Sequence, residues 1–105
     1  MYHIMAFGVT RDELQQWKEA VLREEIVFLT HYWEDKRFPG CTTVTKVGCA
    51  NVEKLIKWGR KYDLLPEWID LHDTYPHFDV FGQTQLTILK QEQQFEHIKR
   101  FSLQK

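Results

Sequence analysis

Hydrophobic positions change their period several times along the chain, and each change marks an element. Residues 2–9, "YHIMAFGV", form a short apolar run that ends at a turn signal and predict a strand. From residue 11 to about 24 the period becomes helical, with Leu14, Trp17 and Val21 on one stripe and Leu22 beside them. "TRDE", residues 10–13, reads as a capping box in which Thr10 and Glu13 each bond a backbone amide of the other. Asp12 and Glu13 also suit the positive end of a helix dipole. Glu19 and Arg23 are spaced for an i,i+4 pair.

Residues 25–33, "EIVFLTHYW", predict a second strand, and the continuous apolar start suggests burial on both faces. "EDKRFPG" follows as a loop. "CTTVTKVGC", residues 41–49, is rich in Thr and Val and predicts a third strand. A second helix is expected from about 51 to 62, with Asn51 as N-cap and Val52, Leu55, Ile56, Gly59 and Tyr62 on one stripe. Gly59 costs about 1 kcal/mol against alanine inside a helix, so a close approach to the sheet would account for it. "EWIDL" after Pro66 reads as a short strand. "VFGQTQLTILKQ" reads as a helix with Phe81, Gln85, Ile88 and Leu89 in line, although Thr84, Leu86 and Ile88 also fit one face of a strand. A further helical pattern follows at Phe95, Ile98 and Phe101.

Together these elements predict a single α/β domain over residues 1–105: a small mixed sheet of three to four strands with helices packed on it. The early strand–helix–strand order predicts a parallel, right-handed crossover between the first two strands. The short loop before the third strand makes that pair antiparallel.

Composition narrows the function classes. A chain of 105 residues, 43% of them hydrophobic, builds one core. Fifteen aromatic residues make that core ring-rich, and some rings are free to line a surface. The formal net charge of −1 argues against a general nucleic-acid binder, because duplex affinity rests on cationic neutralisation of phosphates. The start carries no basic region before its apolar run, and no stretch has the length of a membrane span, so the chain reads as cytoplasmic. Cys41 and Cys49 fit that compartment as free thiols. On one extended strand they would stand about 26 Å apart, whereas a disulfide requires Cα atoms within about 7 Å.

Three constellations carry candidate chemistry. The first is "LHDTYPHFD", residues 71–79. His77 and Asp79 share one side of an extended backbone, and a turn at Tyr75-Pro76 would fold His72 and Asp73 back toward them. Such a His and carboxylate set suits a divalent metal, which would lower the pKa of a bound water. The plainer reading is a solvated turn, with Asp79 as the N-cap of the next helix. The second is "THYWEDKRFPG", residues 30–40, where His31 ends a strand and Tyr32, Trp33, Asp35 and Arg37 follow. Ligands favour the carboxyl ends of strands in α/β sheets; a charged loop with packed rings is the plainer alternative. The third is the basic helix face of Lys54, Lys57 and Lys61, which leaves a local nucleic-acid or acidic-partner contact open but most often is a solvated surface. Cys49 lies before a helix start, where a lone cysteine is more often a small buried residue than a nucleophile.

The stretch "GCANVEKLIKWGRKYDLLPEWI" followed by "YPHFDVFG" resembles a type of small uncharacterised bacterial cytosolic domain, over about residues 41–90. That resemblance implies a bacterial origin and assigns no site residues.

Two functions are weighed from these features. One is a binding or protein-interaction module, acting on a partner protein or a second copy through Tyr32, Trp33, Phe38, Trp68 and Tyr75. The other is a small metal-assisted phosphoester hydrolase or nuclease-like enzyme. In it His31, Asp35, His72, His77 and Asp79 would converge at one cleft with a divalent metal, and Lys36 or Arg37 would hold phosphate. The second function requires the segments at 31–37 and 72–79 to meet at a common rim.

Overall fold

A computed structural model describes residues 7–72 and 74–103. The elements run α1 (Arg11–Leu22), β1 (Val27–Tyr32), β2 (Thr43–Gly48), α2 (Val52–Arg60), a short 3-10 turn (Pro66–Trp68), β3 (His77–Val80), α3 (Gly82–Gln91) and α4 (Phe95–Arg100). The architecture is α/β: a three-stranded sheet in the order β1-β2-β3 with helices packed on it.

Local chemistry starts α1 and α2 where the pattern predicts. Thr10 and Glu13 form both bonds of the capping box, and the Asn51 side chain accepts from the Lys54 amide. Arg23 pairs with Glu25 at 2.8 Å rather than with Glu19. "EWIDL" is not a strand. Pro66 opens a 3-10 turn, and only Asp70 pairs, as an isolated antiparallel bridge to His77. "VFGQTQLTILKQ" divides between the end of β3 and α3, whose N-cap is Phe81 rather than Asp79.

Both strand pairs are antiparallel. Most of the predicted first strand, residues 2–9, lies outside the described residues. Its Phe7 makes a single antiparallel bridge to Tyr32, in place of the expected parallel crossover. Gly8 ends that pairing. Its φ is +93°, and a Cβ there would stand 2.7 Å from the Tyr32 ring, so the chain turns away tightly and enters α1.

Alternation along the strands separates two cores. On one face Val47, Phe78 and Val80 meet Leu55 and Trp58 of α2 and Ile88 of α3. Gly59 permits this contact, because a Cβ there would lie 2.7 Å from the Phe78 ring. On the other face Trp17 and Val21 of α1 pack with Leu29. Gly48 leaves the room they fill, since its Cβ would meet the Trp17 ring at 2.6 Å.

Candidate functional site

β3 builds the first polar site. His77 and Asp79, two residues apart on the strand, project to the α1 face of the sheet. His77 stands opposite Gly48 and Asp79 opposite Lys46. On the far edge of β3, Asp70 is directly paired with His77 and its side chain rises on the same face. Donor atoms of Asp70, His77 and Asp79 therefore lie within 4.8 Å of one another. The Trp17 indole walls one side, its ring edge-on to the imidazole with centroids 6.1 Å apart.

Hydrogen bonds orient the group. His77 Nδ1 is 2.7 Å from the Tyr75 carbonyl. A carbonyl only accepts, so Nδ1 carries a proton and Nε2 turns to the carboxylates. The Lys46 ammonium stands among them, with Nζ 3.2 Å from His77 Nε2 and 3.1 Å from Asp79 Oδ1. Neutral His77 accepts from Lys46. Protonated His77 instead directs Nε2–H toward Asp79 Oδ2, 3.6 Å away. Burial and the Lys46 charge work against charge on His77, yet the Asp79 carboxylate and the Tyr75 carbonyl together outweigh them and raise the imidazole pKa. Burial also works against the charge on Asp79, but His77 and Lys46 hold its carboxyl below the ordinary range. The arrangement can hold one cation between two carboxylates and an imidazole, and the Lys46 ammonium stands on its Asp79–His77 side.

The other predicted residues do not join this site. His72 sits at its rim, fully exposed, with Nδ1 3.5 Å from Asp70 Oδ1. Asp73 lies outside the described residues. His31 is buried on the same sheet face, but its partner is Val44 whereas that of His77 is Gly48. Four steps along β2 and two strand spacings separate the backbones of His31 and His77 by about 17 Å. By the same register the loop after β1 and the segment before β3 open at opposite ends of the sheet, so the five-residue cleft of the hydrolase reading does not form. His31 Nδ1 donates to the Tyr32 carbonyl at 2.8 Å, and burial and the Lys46 charge lower its pKa.

The loop residues have partners of their own. Asp35 and Arg37 form a two-pronged ion pair, which holds the Asp35 carboxyl down at about 2. Trp33 and Phe38 pack around Phe81 at centroid distances of 5.2 and 4.5 Å. Tyr32 is exposed but leans edge-on against Phe101, and Tyr75 rests on Trp17 under the Lys18 ammonium. On the basic face, Lys54 donates to the Glu24 carbonyl and Lys61 to Glu92. Two of its three lysines are thus engaged within the molecule. Cys41 and Cys49 are free, and burial raises the Cys49 pKa, which disfavours a reactive thiolate.

A second polar group was not anticipated as a unit. On the opposite face, Thr43 Oγ1 donates to Gln85 Oε1 at 3.2 Å, and Gln85 Nε2 donates to Thr45 Oγ1 at 2.9 Å. Thr45 and Thr30 hydroxyls meet at 2.6 Å, and Thr30 Oγ1 lies 2.9 Å from His97 Nδ1. Thr45 accepts from the Gln85 amide and shares a proton with Thr30, and Thr30 in turn pairs with the neutral His97 ring, either partner of these last two pairs being able to donate. Burial lowers the His97 pKa in agreement with this neutral form.

Over 99 residues, 94% of this chain and the whole of the relative, the sequence is 57% identical to "Uncharacterized protein YneQ" of Bacillus subtilis (strain 168). No protein-family model matches the chain, and no solved structure matches it.

Proposed function

The chain belongs to the family of this small bacterial protein, and from that premise we propose that it is a cytosolic interaction module whose contact surface centres on Trp68. One observation carries the reading. Leu65, Trp68 and Leu71 are 44%, 56% and 61% exposed within seven residues of chain. The Trp68 amide bonds the Leu65 carbonyl in the 3-10 turn, and residues three apart in such a turn eclipse on one side. A tryptophan flanked by leucines, with Glu67 and Asp70 around them, has the make-up of an interface anchor with a polar rim. A second copy of the chain is the simplest occupant, since a net charge of −1 scarcely opposes self-association. No helix among the described residues is long and apolar enough to cross a membrane, so this surface is not the flank of a spanning helix. The two unbridged cysteines agree with a reducing compartment.

Light scattering on the purified chain is expected to give a mass above one chain. Trp68→Glu should return it to a single chain with an unchanged circular dichroism spectrum, because anchor residues carry about 2 kcal/mol or more of association energy. A single-chain mass for the native sequence at every concentration removes the reading.

A second reading rests on the Asp70, His77 and Asp79 donors. The Tyr75 carbonyl fixes the His77 tautomer as carbonyls do for metal-ligating histidines, and the three donors suit a borderline divalent ion. Lys46 competes for the same space. Mn²⁺ or Zn²⁺ is therefore expected to leave the melting temperature of the native chain unchanged and to raise that of Lys46→Met. The absence of a shift in Lys46→Met excludes this site.

A further inference from the structure

A trough of about 580 Å³ runs along the outer edge of β1, between α1 and α4. Val27 and Leu29 from one face of β1, and Phe28 and Thr30 from the other, form its floor, while no residue of β2 reaches it. The cavity thus lies beside the strand, not over a face of the sheet. Its volume is that of a small-ligand site.

The backbone gives the trough its chemistry. In an antiparallel pair successive residues turn their N–H and C=O alternately toward the partner and away from it. The Trp33 amide bonds the Thr42 carbonyl in β2, whereas the Tyr32 amide turns outward and bonds Phe7. Continuing that alternation through β1, Thr30 and Phe28 also turn outward. The close contact of the Thr30 and Thr45 hydroxyls agrees, because side chains approach most closely where paired residues exchange no backbone bonds. Among the described residues, no backbone group pairs with the outward amides of Phe28 and Thr30. Phe7 makes one bridge on this edge, Gly8 diverts the chain after it, and among the described residues nothing else pairs with the edge at the bottom of the trough.

The walls restrict what can enter. Trp17 and Ala20 of α1 stand on one side, and His97 and Arg100 of α4 on the other. The α1 wall is apolar where Trp17 and Ala20 are buried and polar where Glu13, Gln16 and Arg23 line it, with Glu13 ion-paired to Arg100 of the other wall. The other wall offers the Nε2 of His97, whose Nδ1 is paired with Thr30. Side chains of a strand alternate between faces, so the matching occupant alternates apolar residues toward α1 with hydrogen-bonding residues toward α4.

We propose that the outer edge of β1 is a strand-addition site for an extended peptide segment with alternating apolar and polar residues. The segment would continue the ladder that Phe7 begins and take its register from the backbone groups of Phe28 and Thr30. This site is separate from the Trp68 surface, and testing it in the Trp68→Glu chain keeps the two apart.

The probe is the peptide acetyl-Val-Thr-Val-Thr-Val-Thr-amide, titrated into isotope-labelled Trp68→Glu chain and followed by amide spectra and hydrogen exchange. In the free chain the amides of Phe28 and Thr30 should exchange far faster than those of Leu29 and His31. With peptide they should become protected, at least tenfold. A control peptide of the same sequence, N-methylated on the threonines, and a second with N-methylated valines bracket the two possible pairing edges; one of them should bind at least tenfold more weakly than the parent. Equal protection of all four amides in the free chain overturns the proposal. So does an unperturbed Phe28 and Thr30 at saturating peptide, or equal binding of all three peptides. Protection that rises with protein concentration alone overturns it in favour of pairing between copies of the chain.

Discussion

Phe78→Ala is expected to lower the stability of the domain by about 3–5 kcal/mol, measured as the shift of the urea midpoint at constant slope. Small domains hold only about 5–15 kcal/mol in total, so this one change removes a large share. Phe78 is 1% exposed and lies where β3, α2 and the Trp58 ring meet. The cavity it leaves cannot close easily, because the opposing wall is the backbone of α2 at Gly59. The same geometry predicts a coupling between the two residues. Gly59→Ala gains about 1 kcal/mol of helix propensity, yet its Cβ would stand 2.7 Å from the buried Phe78 ring. Alone it should destabilise. In a Phe78→Leu background, where the far end of the ring is gone, the alanine should cost less than in the native chain. Additive effects of the two substitutions would mean that the ring and the glycine do not share that space.

The second large effect belongs to Gln85. Gln85→Leu fits the volume and keeps the helix, but it removes the partner of the buried Thr43 hydroxyl and one of the two partners of Thr45. An orphaned buried polar group costs about 1–3 kcal/mol; Thr43 is orphaned while Thr45 keeps Thr30, so the variant should lose about 1–3 kcal/mol. Adding Thr43→Val should recover part of that loss, since a group removed with its partner leaves nothing unsatisfied. The His97 ring reports the chain of bonds separately. Loss of the Gln85 donor frees the Thr45 hydroxyl to reorient against Thr30, the partner of His97 Nδ1, so the nitrogen shifts of His97 should change in Gln85→Leu, three hydrogen bonds away. Unchanged His97 shifts together with unchanged stability would show that the network is not continuous.

Much of this fold was legible because its signals are local. The capping box at Thr10 and Glu13, the Asn51 cap and the apolar stripe of α2 each specify a helix within a few residues. Gly59 on that stripe pointed to a close approach, and Phe78 fills it. The Thr and Val alternation of 43–48 marked β2. What escaped depends on pairing between distant segments. His77 and Asp79 were visible as a pair on one strand face, and the faint resemblance over about residues 41–90 proved to lie within a family match covering nearly the whole chain. Asp70 was not visible, because one residue of backbone pairing across β3 brings it there and no side-chain pattern announces a single bridge. Lys46 enters from β2 only once the register sets it opposite Asp79. The common rim for residues 31–37 and 72–79 failed for the same reason, since antiparallel pairing sends those segments to opposite ends. Gln85 left a readable trace as a polar residue on an otherwise apolar stripe. The Thr residues of β1 and β2 that it serves lie forty and more positions away, beyond the reach of any periodicity.

The clasp between α4 and the start of α1 has a consequence for handling the molecule. Arg100 bonds both the Gly8 carbonyl and the Glu13 carboxylate, so the first turn of α1 and the last turn of α4 stand side by side. Labels at exposed positions of those two turns would lie close together. Two fluorophores attached there would report opening of this seam as a loss of energy transfer before the sheet itself melts.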